Sequence, residues 1–144
     1  MRRTPFLLLL PVLLIACAKA PEPLPGSEKE YPPATIPGFS IDAKVIQVVT
    51  EDVLIFDYAT EEETTAELAK LSDDGRMIDG KEIPWRAGDQ VHVFATGRQI
   101  AVYLGSTKEV LEALISEGGA QIVGDPLPPD VKIPEAASSS SADL

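Results

Sequence analysis

The chain has 144 residues and a mass of 15.4 kDa, enough for one domain of ordinary size and too little for a bilobed solute-binding protein. Charged residues are 24% and hydrophobic residues 44%, which excludes a wholly disordered chain. Twelve basic against 23 acidic residues leave a net charge of −11, opposite to the positive field that nucleic-acid binding needs; one Cys excludes an internal disulfide, and one His excludes a His-rich zinc site.

Arg2 and Arg3 precede an apolar run, 6–15, interrupted by Pro11. The run falls short of the roughly 20 residues that a bilayer-crossing helix needs. It has the length of a signal-peptide core. It ends in Leu14-Ile15-Ala16-Cys17, which resembles the bacterial lipobox. The resemblance implies a signal peptide over 1–16, cleavage after Ala16, and lipidation of Cys17 through a diacylglyceryl thioether and an acylated amine. Acyl burial contributes ~0.8 kcal/mol per CH₂, so two or three chains anchor a protein durably. Ala18 stands where an Asp resembles an inner-membrane retention signal. It implies the periplasmic face of the outer membrane if the source is diderm. Without 1–16, ten basic and 23 acidic residues remain, a charge of −13. Charge of that sign keeps the domain off an anionic lipid surface.

Residues 17–37 are the lipidated Cys and a Pro-rich tether, with Pro21, Pro23, Pro25, Pro32, Pro33 and Pro37. Polyproline character gives the tether a reach of ~25 Å as a coil and ~60 Å extended. The folded domain is expected over 38–124. Pro126, Pro128, Pro129, Pro134 and Ser138 to Ser141 predict a disordered tail over 125–144.

Within 38–124, β-branched residues from Phe39 to Val49 and the apolar run Val53 to Tyr58 predict two strands. Thr50-Glu51-Asp52 reads as their hairpin connection. Thr60 with Glu63 forms a capping box, and Ala66, Leu68, Ala69 and Leu71 give a thin apolar stripe to the helix that follows. Ser72-Asp73-Asp74-Gly75 ends it. Met77-Ile78 and Ile83-Pro84-Trp85 are short extended pieces around the turn Asp79-Gly80. Val91, Val93 and Ala95 alternate on one face of a strand, and Ile100, Val102 and Leu104 on one face of the next, joined at Thr96-Gly97. Ser106 and Glu109 predict a second capping box. Val110, Leu111, Leu114 and Ile115 form the buried face of a second helix, stopped at Gly118. Ile122-Val123 is expected as a last edge strand.

This order predicts an α+β fold. Its expected form is a two-layer sandwich, an antiparallel four-stranded sheet with two helices on one face, close to a ferredoxin-like unit. Several motifs in order add a resemblance. They are Asp52-Val53 with Phe56 and Tyr58, an Ala/Glu helix, Ser72 with Asp74-Gly75, Trp85, His92 with Phe94 and Gly97-Arg98, then Tyr103-Leu104-Gly105. Over 45–105 the chain resembles small bacterial secreted lipoproteins of uncharacterised function. The resemblance implies fold and location and no activity.

On that sheet Phe94, Tyr103 and His92 have the parity opposite to Val93 and Val102. With Trp85 they are expected to form an exposed aromatic patch, a candidate binding surface. The single Cys is committed to lipid, so no nucleophile–base pair can be assembled and no catalytic residue is assigned. Asp73, Asp74 and Asp79 lack the spacing of a calcium loop, so no metal and no cofactor are expected. The sequence therefore predicts a lipid-anchored cell-envelope lipoprotein with a small non-catalytic binding module. The expected partners are the membrane, through the lipid, and an envelope protein or small ligand, with no nucleic acid. The alternatives are a small carboxylate-based hydrolase and a purely structural lipoprotein.

Overall fold

The computed structural model describes residues 32–134. The expected signal peptide, the lipidation site Cys17 and most of the tether lie outside the described residues, as do the last ten residues of the expected tail. Seven strands and two helices are present among the described residues: β1 (Lys44–Val48), β2 (Glu51–Asp57), α1 (Glu61–Leu68), β3 (Met77–Ile78), β4 (Lys81–Glu82), β5 (Val91–Thr96), β6 (Gln99–Leu104), α2 (Lys108–Gly118) and β7 (Gln121–Gly124). The α+β class is as expected. The main sheet has five antiparallel strands rather than four, in the order β1-β2-β6-β5-β7. The pair β3-β4 forms a separate small hairpin.

The two helices lie on opposite faces of the sheet, which corrects the expected two-layer form. Val110, Leu111, Leu114 and Ile115 of α2 pack with Val53, Ile55, Phe94, Ala101 and Tyr103. On the other face Leu68 of α1 packs with Phe56, Val91, Val93, Ile100 and Val102. The reason is handedness. The connection from β2 through α1 to β5 steps over β6, and the connection from β6 through α2 to β7 steps over β5 in the same direction. Strands β2 and β6 run antiparallel. Two right-handed crossovers that step the same way from antiparallel strands must put their helices on opposite faces. In a ferredoxin-like unit the last strand returns beside the first, and both helices share a face. Here β1 already occupies that edge of β2, so β7 goes to the far side of β5.

Both domain boundaries also move outward. Ala34 and Ala43 exchange backbone hydrogen bonds of 2.8 Å, and Ile36, Phe39 and Ile41 pack on the α1 face. After β7 the chain crosses back, and Leu127 and Val131 join the core under α2. The Asp125 carboxylate accepts the Val91 amide at 2.8 Å and an Arg76 guanidinium N–H at 2.9 Å. Residues 125–134 are therefore part of the packed unit, where Pro content alone predicted a tail.

Local chemistry explains most of the turns. Asp79 (φ 55°) and Gly80 (φ 73°) form a two-residue loop with both residues left-handed, the setting in which Asp-Gly is favoured. The β5-β6 loop is Gly97-Arg98, one residue later than expected, with Gly97 left-handed. The β1-β2 loop is Val49-Thr50, and here Val49 takes φ 58° while 59% exposed. A β-branched residue in that region is strained, and glycine is favoured there. Nothing in Val49-Thr50 signals a turn, which is why the connection was expected one residue later. Val49→Gly should stabilise the domain by ~0.5–1 kcal/mol, read as a higher urea midpoint with unchanged m.

Helix α1 begins with the expected cap: Thr60 Oγ1 accepts the Glu63 amide at 3.2 Å, and Glu63 accepts the Ala59 amide at 3.1 Å. Its buried residues are Thr64 and Glu67, however: of the expected stripe Leu68 and Leu71 are half-buried, Ala66 and Ala69 are exposed, and the helix ends at Leu68. Helix α2 is capped by Thr107 rather than Ser106, without a side-chain cap bond. Its stripe at 110, 111, 114 and 115 is buried as expected.

Candidate functional site

The expected patch does not form. Phe94, Tyr103 and His92 are at most 1% exposed and sit beneath α2. Pairing fixes this: Tyr103 lies opposite His92 and Val53, and Ala101 lies opposite Phe94 and Ile55, so all six share the α2 face. Trp85 is half-buried on the other face, where its indole N–H donates to the Gly75 carbonyl at 3.0 Å. The four residues are thus split across the sheet, and three are core.

The buried aromatics instead belong to a polar network. The Tyr103 hydroxyl donates to Glu51 and accepts the Thr107 amide at 3.1 Å. The Thr107 hydroxyl also donates to Glu51. One carboxylate at the start of β2 thereby ties β6 to the first turn of α2. Burial, and then the bond to Glu51, raise the Tyr103 hydroxyl above the usual phenol range. His92 lies beside the Tyr103 ring, with centroids 6.4 Å apart. Its Nδ1 is 2.8 Å from Gln121 Oε1, and Gln121 Nε2 donates to the Asp125 carbonyl at 2.8 Å. With its amide nitrogen so used, Gln121 accepts, and His92 carries its proton on Nδ1. Its Nε2 is buried with no partner among the described residues.

Chemically this network joins β2, β6 and the start of α2 through one shared carboxylate. Glu51 is committed to two hydroxyl donors. A small cleft under the C-terminal half of α2, lined by Phe94, Thr96, Gln99, Leu114 and Gly118, has room for about one water molecule. Thr96 closes one side of it by donating to the Gly118 carbonyl at 2.7 Å.

A second polar group lies on the α1 face. Glu67 is 2% exposed. Its carboxylate accepts the Ser40 amide at 2.7 Å and the Lys70 ammonium at 2.9 Å. Burial alone would raise its pKa, but the Lys70 and Ser40 bonds outweigh burial and hold the carboxyl below its usual range. The Tyr58 hydroxyl, also buried, has no hydrogen-bond partner among the described residues. Burial, and then the charge on Glu67, raise it well above the usual phenol range. Asp74 accepts the Arg76 amide at 3.0 Å and orders the loop before β3, a turn role and not a metal one. No cluster of His, Cys, Asp or Glu able to hold a metal occurs among the described residues. No helix among them is long and apolar enough to cross a membrane.

Glu51, Glu67, Thr107 and Gln121 carry these networks, and none was singled out from the sequence. Each has at least one partner 27 to 56 residues away, beyond any local spacing rule. Comparison of the chain with protein-family models, curated proteins and solved structures finds no match.

Proposed function

We propose that this protein is a lipid-anchored bacterial envelope lipoprotein whose domain is a non-catalytic binding or interaction module. The observation that carries the reading is Leu14-Ile15-Ala16-Cys17 at the end of a short apolar run behind Arg2 and Arg3. The acidic domain supports it, because it is repelled from anionic lipid and is held at the surface only by an anchor. The filled sheet faces support the non-catalytic part. With both faces packed, a partner meets helix exteriors, loops and strand edges, which offer contact area and no reaction chamber. An envelope protein fits such a surface better than a small ligand does. For a diderm source, Ala18 directs the anchor to the periplasmic face of the outer membrane.

Mass spectrometry of the mature protein should find Cys17 as the N-terminal residue, carrying diacylglyceryl and acyl groups. The Cys17→Ser protein should leave the membrane fraction. A Cys17→Ser protein that stays membrane-bound and is cut at the same place would overturn the reading.

A further inference from the structure

The segment that leads from the tether into the sheet is built into the fold in an unusual way. Residues 34–43 cover the α1 face without belonging to a strand or helix. Phe39 stacks on Phe56 with ring centroids 4.0 Å apart. The Ala34–Ala43 pair and the bond from Phe39 to Ile36 lie within the segment, and its hydrogen bond to the rest of the domain is the Ser40 amide on Glu67. Gly38, at φ 98°, lies so close to Ile78 that an added Cβ would fall 2.1 Å from its Cγ2. Apart from Ala43, every residue of the segment is half-buried or exposed.

What it covers is a costly place to seal. Glu67 is an ionised carboxylate taken out of water, and the Tyr58 hydroxyl beside it is buried unpaired. Lifting the segment would hydrate both. It would break the Phe39–Phe56 stack, the Ser40–Glu67 bond and the packing of Ala34, Ile36, Phe39 and Ile41 on the α1 face, and would leave all five strands of the main sheet paired. Low-stability segments that open ahead of the rest have this profile of few ladder bonds and partial burial.

We propose that residues 34–43 are a latch clasped by Glu67, which undocks as a unit ahead of the rest of the domain and lengthens the path between membrane anchor and sheet. Ten released residues add up to about 35 Å of extended chain. The change in anchor distance rests on the lipoprotein reading; the latch itself does not. The charged and titratable groups facing the clasp are Lys70 on the end of α1, Tyr58 on the end of β2, and Asp79 in the β3-β4 turn, whose charge acts on Lys70. Undocking frees Glu67 from burial and from Ser40 and leaves its bond to Lys70, at the end of the same helix, in place.

Hydrogen exchange on the mature chain, in both the lipidated and the Cys17→Ser forms, tests this. After correction for intrinsic rates, the Ser40 amide should exchange at least about tenfold faster than the amides of β5 and β6. Glu67→Ala, which removes the clasp, should strip protection from Ser40 and leave β5 and β6 protected. Gly38→Ala, which cannot seat over Ile78, should do the same. Equal loss across latch and sheet in these variants would overturn the proposal, as would Ser40 protection in the parent as great as that of β5 and β6. A latch that opens in both forms while Cys17 proves unmodified would retain the device and remove only its bearing on anchor distance.

Discussion

Tyr103→Ala should destabilise the domain by ~3–5 kcal/mol, among the largest effects of any single truncation. The ring is 1% exposed and fills the space between Val53, His92 and the start of α2. Removing it leaves a cavity between sheet and helix. It also leaves Glu51 with one hydroxyl donor where it had two. Tyr103→Phe separates these terms. It keeps the ring, removes the bond to Glu51 and the acceptor for the Thr107 amide, and should cost about 1–2 kcal/mol. Urea unfolding of both variants gives the comparison. A Tyr103→Ala protein as stable as the parent would show that Tyr103 is not core and would restore the exposed patch expected from sequence.

That patch failed for a reason visible in two strands. In 91–96 Val91 and Val93 alternate with His92 and Phe94, and in 99–104 Ile100 and Val102 alternate with Ala101 and Tyr103. Both parities are apolar or aromatic, the mark of strands buried on both faces. Reading only the aliphatic parity as core leaves the other for solvent. Reading both puts a layer on each side, and the stripe of α2 then needs its own face. The strands themselves, α2 and the Thr60 cap were legible, because alternation, the 3.6-residue period and capping are local signals.

The inward face of α1 and the latch were harder. Helix α1 buries Thr64 and Glu67, so its inward face carries no hydrophobic signal beyond Leu68. The role of Glu67 exists only once Ser40, 27 residues earlier, lies against it. The Pro-rich composition at both ends pointed to disorder, yet Ala34, Ile36, Leu127 and Val131 pack into the domain. Proline removes amide donors and fixes φ; it does not prevent a neighbouring apolar side chain from being buried.

Gly124→Ala should cost about 3 kcal/mol or more and should act at the end of β7 rather than in the core proper. Gly124 has φ 121°, where a side chain is strained in open space. Space is not open: an added Cβ would lie 2.1 Å from the Val91 carbonyl oxygen, a backbone atom that no rotamer change can move. That oxygen accepts the Asp125 amide at 2.7 Å, and the Gly124 amide donates to the Asp73 carbonyl at 2.9 Å. Pushing β7 away from β5 therefore loosens the Asp125 carboxylate from Val91 and Arg76, and with it the loop that precedes β3. The expected signature is a lower urea midpoint together with faster exchange of the Val91, Gly124 and Asp125 amides. The latch amides, held by α1 and β2, should lose protection only as far as global stability falls. A Gly124→Ala protein with unchanged exchange at Asp125 would mean that β7 is free to shift, and that the five-stranded order closes less tightly on its β5 side than its pairing implies.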